Sequence, residues 1–93
     1  MSKQVRARAV ITGKVQGVCF RAETQRAAKQ RNLRGWVRNR PDGSVEALLE
    51  GDEPSVNAML EWLRRGSPFS RVRYVDVQWE TYTGDPDRFE IVL

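Results

Sequence analysis

The segment Gly13-Lys14-Val15-Gln16-Gly17-Val18-Cys19-Phe20-Arg21 decides how the chain is read. Before it, Val5 to Thr12 alternates, with Val5, Ala7, Ala9 and Ile11 on one side. A period of two with one apolar side predicts a strand laid on a core. After it, Phe20, Thr24, Ala27 and Ala28 share one side of a helical wheel, which predicts a helix from Arg21 to about Asn32. The small alanines would let that helix lie close to a sheet. The segment is therefore a strand-to-helix turn over Gly13–Phe20, containing two glycines and no acid between Lys14 and Ala22. Backbone N–H groups at such a turn can converge on an anion. Arg21 points the same way, because the positive end of a helix disfavours a cation unless something negative lies between them. A phosphate fits that description. A solvated arginine after an ordinary glycine turn fits the bare pattern equally well, and the Gly-Lys-Ser/Thr ending of nucleotide-binding loops is missing.

Outward from this segment the elements follow in short order. Leu33 to Asn39 reads as a second strand, Arg40-Pro41-Asp42-Gly43 as a type I turn, and Val45 to Glu50 as a third strand in a hairpin with the second, ended by Gly51. In that third strand Val45, Ala47 and Leu49 alternate with Glu46, Leu48 and Glu50. Asp52-Glu53-Pro54 opens a second helix, whose stripe is Val56, Met59, Leu60 and Leu63; Arg64 and Arg65 suit its C-terminal end, and Gly66 with Pro68 stops it. Arg71 to Glu80 is a fourth strand, Thr81 to Asp87 a polar turn, and Phe89 to Val92 a short last strand. The order β-α-β-β-α-β plus a terminal strand predicts an α+β fold, a split β-α-β sandwich in which an antiparallel sheet carries two helices on one face. Residues 1–93 form a single domain in this reading. In such a sandwich the first and second strands run parallel, so the turn at Gly13–Arg21 and the end of the second strand, Asn39, meet at one edge.

Composition removes several kinds of chemistry. Hydrophobic residues are 40% and charged residues 30%, ordinary for a globular protein, and no apolar run is long enough to span a bilayer. Met1-Ser2-Lys3-Gln4-Val5-Arg6 holds no apolar signal core, so a cytoplasmic location is expected. One cysteine, Cys19, excludes an intrachain disulfide. The absence of histidine excludes His-based triads and removes the commonest metal ligand, so neither a metal nor another cofactor is expected. The net charge of +4 comes from sixteen basic and twelve acidic residues spread over the chain, which reads first as solubility and second as attraction of an anion.

Among single residues, Lys14 reads as a surface charge, and Gln16 as a residue that orients the turn rather than a direct ligand. Cys19 lies too close to Arg21 for the phosphate loop of a cysteine phosphatase and reads as packed or incidental. Asn39, at a strand end before a turn, caps its own backbone in the commonest case. Trp36 and Trp79 read as core or sheet-face residues.

Gly13 to Arg21, followed by Gly35-Trp36-Val37-Arg38-Asn39 with Gly43, Val45 and Gly51 at matching spacings, resembles the two signatures of the acylphosphatases. The resemblance spans essentially the whole chain and implies a ferredoxin-like fold and hydrolysis of the carboxyl–phosphate bond of a small acyl phosphate. It implies phosphate binding by Arg21 and by the backbone amides of Gln16, Gly17, Val18, Cys19 and Phe20. Asn39 would orient the attacking water, so that Arg21 and Asn39 form the catalytic pair. A monomer without nucleic-acid or membrane partners is expected. A phosphate-sensing domain without catalysis and a nucleic-acid-binding domain of the same strand order are the alternatives. The second is disfavoured because Ser44 to Glu50 offers no aromatic residue and two acids.

Overall fold

A computed structural model describes residues 3–93; Met1 and Ser2, the start of the N-terminal segment read above, lie outside the described residues. Seven elements follow one another: β1 (Gln4–Lys14), α1 (Phe20–Gln30), β2 (Arg34–Asn39), β3 (Val45–Asp52), α2 (Glu53–Arg65), β4 (Arg71–Glu80) and β5 (Phe89–Ile91). They form a five-stranded sheet in the order β4-β1-β3-β2-β5. This is the ferredoxin-like α+β sandwich that the pattern of elements predicts. One feature of the sheet departs from expectation. The first four strands are antiparallel to their neighbours, but β5 pairs with β2 in parallel, Gly35 opposite Phe89 and Val37 opposite Ile91, so the sheet is mixed. β4 ends with Glu80 opposite Arg6, near the start of β1. After crossing to the other edge, the chain begins β5 with Phe89 opposite Gly35, near the start of β2, and runs the same way.

The helices cover one face. Val5, Ala7, Ala9 and Ile11 of β1 meet Phe20, Ala27 and Ala28 of α1 and Val56, Met59, Leu60 and Leu63 of α2 in one apolar cluster. Each side chain is one that the period of its element assigns to the core. β1 runs two residues past Thr12 because a bulge between Thr12 and Gly13 lets Lys14 pair with Arg71. The turn that follows is shortened to Val15–Cys19. Trp79 takes a core-face register, opposite Ala7, yet is 52% exposed because β4 is an edge strand. No helix among the described residues is long and apolar enough to cross a membrane.

The open face of the sheet is not the solvated surface that simple alternation suggests. All six residues from Val45 to Glu50 are buried. Glu46 accepts from Arg8 at 2.7 Å and from Arg38 at 2.7 Å; Glu50 pairs with Arg6 at 3.2 Å and accepts from the amides of Thr83 and Gly84. Glu80 joins Arg6 to Arg8, which completes an alternating row across the strands. Trp36 lies under the guanidinium groups of Arg8 and Arg38, 5.7 and 5.9 Å from its ring. Long charged side chains cover this face with their stems while satisfying one another's charges.

Burial alone would push the Glu46 carboxyl up, but hydrogen bonds from Arg8 and Arg38 outweigh it and hold it below the usual carboxylate range. The hydrogen bond from Arg8 holds Glu80 low as well. A carboxyl that titrates lower when folded stabilises the fold fully above its unfolded pKa, about 4.3. That contribution is lost as pH falls through the folded value. Glu46→Gln should therefore cost about 2 kcal/mol at pH 7. It should also shallow the loss of stability below about pH 4.3, read from urea midpoints against pH. Gly35 adopts a φ of 138°, and a Cβ there would overlap the carbonyl oxygen of Leu48 on the paired strand. Gly35→Ala should lower stability by at least about 2 kcal/mol in the same assay.

Candidate functional site

The turn between β1 and α1 is held at both ends by apolar anchors. Val15 and Phe20 are each only 1% exposed, and the Phe20 ring lies 6.0 Å from that of Trp62 on α2. Between them the backbone twice enters the left-handed region, at Gly17 (φ 77°) and at Cys19 (φ 60°). Glycine takes that conformation freely, whereas cysteine adopts it at a cost. Alternating left- and right-handed residues turn successive N–H groups to one side, which is the geometry of an anion-binding concavity.

The hydrogen-bond pattern agrees. The Cys19 carbonyl accepts from Glu23 and closes the first turn of α1. Among the described residues, none of the amides from Gln16 to Phe20 donates to a protein acceptor in the turn. Arg21, in the first turn of α1, is half-buried and forms no salt bridge among the described residues. Among the described residues, five amides without a protein acceptor and a guanidinium without a salt bridge thus lie beside a helix N-terminus, where the helix dipole favours negative charge.

One cleft of about 330 Å³ brings these parts together. It is lined by Val15, Gly17, Cys19, Phe20, Arg21 and Ala22 from the turn and helix start, by Asn39 from the end of β2, and by Ile91 from β5. Asn39 reaches it because β3 lies antiparallel between β1 and β2 and so sets their C-terminal ends at one rim. Its Oδ1 is buried and has no hydrogen-bond partner among the described residues. Buried carboxamide oxygens are almost always paired, so this one is open to a small donor. It is not the local backbone cap that Asn provides in the commonest case.

Gln16 and Val18 are not among the residues lining the cleft. The Gln16 side chain turns to the β2–β3 hairpin, where its Nε2 donates to the carbonyls of Arg40 and Ser44, each at 2.8 Å. Val18 is half-buried and packs against the core. Cys19 is exposed, with a free thiol, and Lys14 is an exposed charge opposite Arg71. Ile91 escaped the sequence reading. Only the parallel pairing of β5 with β2 brings it beside the cleft, and three residues of strand carry too little pattern to reveal that.

A sequence model of the family described as Acylphosphatase matches residues 7–91. The acylphosphatase of Syntrophobacter fumaroxidans is 55% identical over 88 residues, covering 95% of this chain and 91% of that protein. That of Pyrobaculum aerophilum is 47% identical over 91 residues, covering 97% and 96%. The crystal structure of acylphosphatase from Bacillus subtilis superposes with a TM-score of 0.92 at 42% identity, covering 96% of this chain and 99% of that one. Matched along almost its whole length in both sequence and backbone, the chain belongs to the acylphosphatase family of hydrolases.

Proposed function

We propose that the protein hydrolyses the carboxyl–phosphate bond of a small acyl phosphate, releasing a carboxylate and inorganic phosphate, as a single-domain monomer in the cytoplasm that needs no metal. The observation that carries this reading is the cleft in which Arg21 and the Asn39 oxygen, each without a partner among the described residues, stand together beside a turn of amides without protein acceptors.

The chemistry follows from these groups. Phosphoryl transfer asks mainly for positioning and for stabilisation of charge on three equatorial oxygens. The amides of Gln16–Phe20 and the planar fork of Arg21 supply hydrogen bonds and positive charge for those oxygens. A water held by the Asn39 carboxamide attacks phosphorus, and the phosphorus–oxygen bond to the acyl group breaks with its electron pair left on the carboxylate. A carboxylate leaves readily, so no general acid is needed, and the lack of histidine is no obstacle. Asn39 is too weak a base to keep the proton of the water, which passes instead to a phosphate oxygen. The product is a carboxylate and a protonated phosphate, with atoms and charge in balance.

The reading is tested with chelator-treated protein and benzoyl phosphate, measuring release of inorganic phosphate. The wild type should turn over, and loss of activity on chelation would remove the metal-independent part of the proposal. Arg21→Ala should abolish both phosphate binding and turnover while leaving the thermal midpoint near that of the wild type. Arg21→Lys should fail as well, since one ammonium does not reproduce the guanidinium fork. Asn39→Ala should bind phosphate normally but lose on the order of 10²-fold in kcat. Near-normal kcat in folded Asn39→Ala protein would remove its role in holding water.

A further inference from the structure

Gln16 sits in the middle of the turn that would hold phosphate, yet its side chain is committed elsewhere. Nε2 bridges the carbonyls of Arg40 and Ser44, 2.8 Å from each. These two residues are already tied together, because the Arg40 amide donates to the Ser44 carbonyl at 2.8 Å and the Gly43 amide to the Arg40 carbonyl at 3.1 Å. Asp42 braces the same hairpin by accepting from the amide of Ser44 at 2.9 Å and from its hydroxyl. Arg40 directly follows Asn39 in the chain. One carboxamide therefore joins two rigid pieces that no strand pairing connects at this point, the turn ahead of Arg21 and the hairpin that begins at Asn39.

Resting on the function proposed above, we infer that Gln16 is a positioning residue that sets the gap between the phosphate-holding turn and the Asn39 carboxamide. A carboxamide NH₂ has two protons, and both are used on the hairpin carbonyls, so the side chain has no donor left for substrate. Its backbone amide remains available to phosphate whatever side chain is present. Removing the bridge should therefore leave phosphate affinity nearly intact and disturb the placement of water relative to phosphorus. Small misplacements of this kind are costly in rate.

The experiment uses Gln16→Met, which keeps the length and bulk of the side chain and removes both hydrogen bonds, with Gln16→Ala as a second variant in case the first does not fold. Three quantities are measured for the full chain: kcat on benzoyl phosphate, the Kd of inorganic phosphate by calorimetry, and the effect of the same substitution in an Asn39→Ala background. The expected result is a fall in kcat of about 10-fold or more with the phosphate Kd changed less than about 2-fold. In the Asn39→Ala background the further loss should be less than about 2-fold, because two residues that act as a unit are not additive. An equal loss in both backgrounds, an unchanged kcat, or a phosphate Kd that weakens in step with kcat would each overturn the inference. Absence of turnover by the wild type would instead overturn the functional reading on which it rests.

Discussion

The site depends on a short turn fastened at both ends. Val15 enters the apolar core as the first residue after β1, and Phe20 enters it again as the first residue of α1. Only four residues lie between them, so the backbone has few ways to close the gap, and two of the four take the left-handed conformation. The positions of the amides between them are therefore set by the two anchors. The packing behind Phe20 continues through Trp62 into the apolar stripe of α2. The second helix contributes no residue to the cleft, yet it holds one end of the turn in place.

The central strand performs a different task on each of its faces. Val45, Ala47 and Leu49 of β3 belong to the apolar cluster beneath the helices, while Glu46 and Glu50 anchor the ionic row on the open face. By pairing antiparallel with β1 on one side and β2 on the other, β3 also brings the ends of those two strands to a common rim. Arg21 and Asn39, distant in the chain, become neighbours for that topological reason. The two residues owe their meeting to hydrogen bonds made by a strand that carries neither.

Much of this was legible in the residues alone. The buried sets of β1, α1 and α2 are those that periods of 2 and 3.6 assign, because each element turns a single face to the core. The convergence of the β1–α1 turn with Asn39 was legible too, since it follows from strand order and crossover hand. What stayed hidden depends on partners across the sheet. Alternation placed Glu46, Leu48 and Glu50 on the second face but carries no sign of whether arginines from neighbouring strands will cover it. The half-exposure of Trp79 reflects the position of β4 at an edge, which local sequence does not encode. The direction of β5 and the place of Ile91 were hidden for the same reason. Gln16 could be assigned to the turn, but its two carbonyl acceptors lie 24 and 28 residues away. The missing partner of the Asn39 oxygen is a property of the packed site, visible only once the neighbours are in place.

The row of arginines and glutamates on the open face has a consequence for heating. Hydration of charged groups carries a strongly negative entropy, so keeping such groups out of water becomes less unfavourable as temperature rises, while apolar burial stops gaining. Glu50, Arg6, Glu80, Arg8, Glu46 and Arg38 are linked in one continuous run, so each ion has a partner already fixed in place. The linked run on the open face thus loses less of its contribution on warming than isolated pairs of the same ions would.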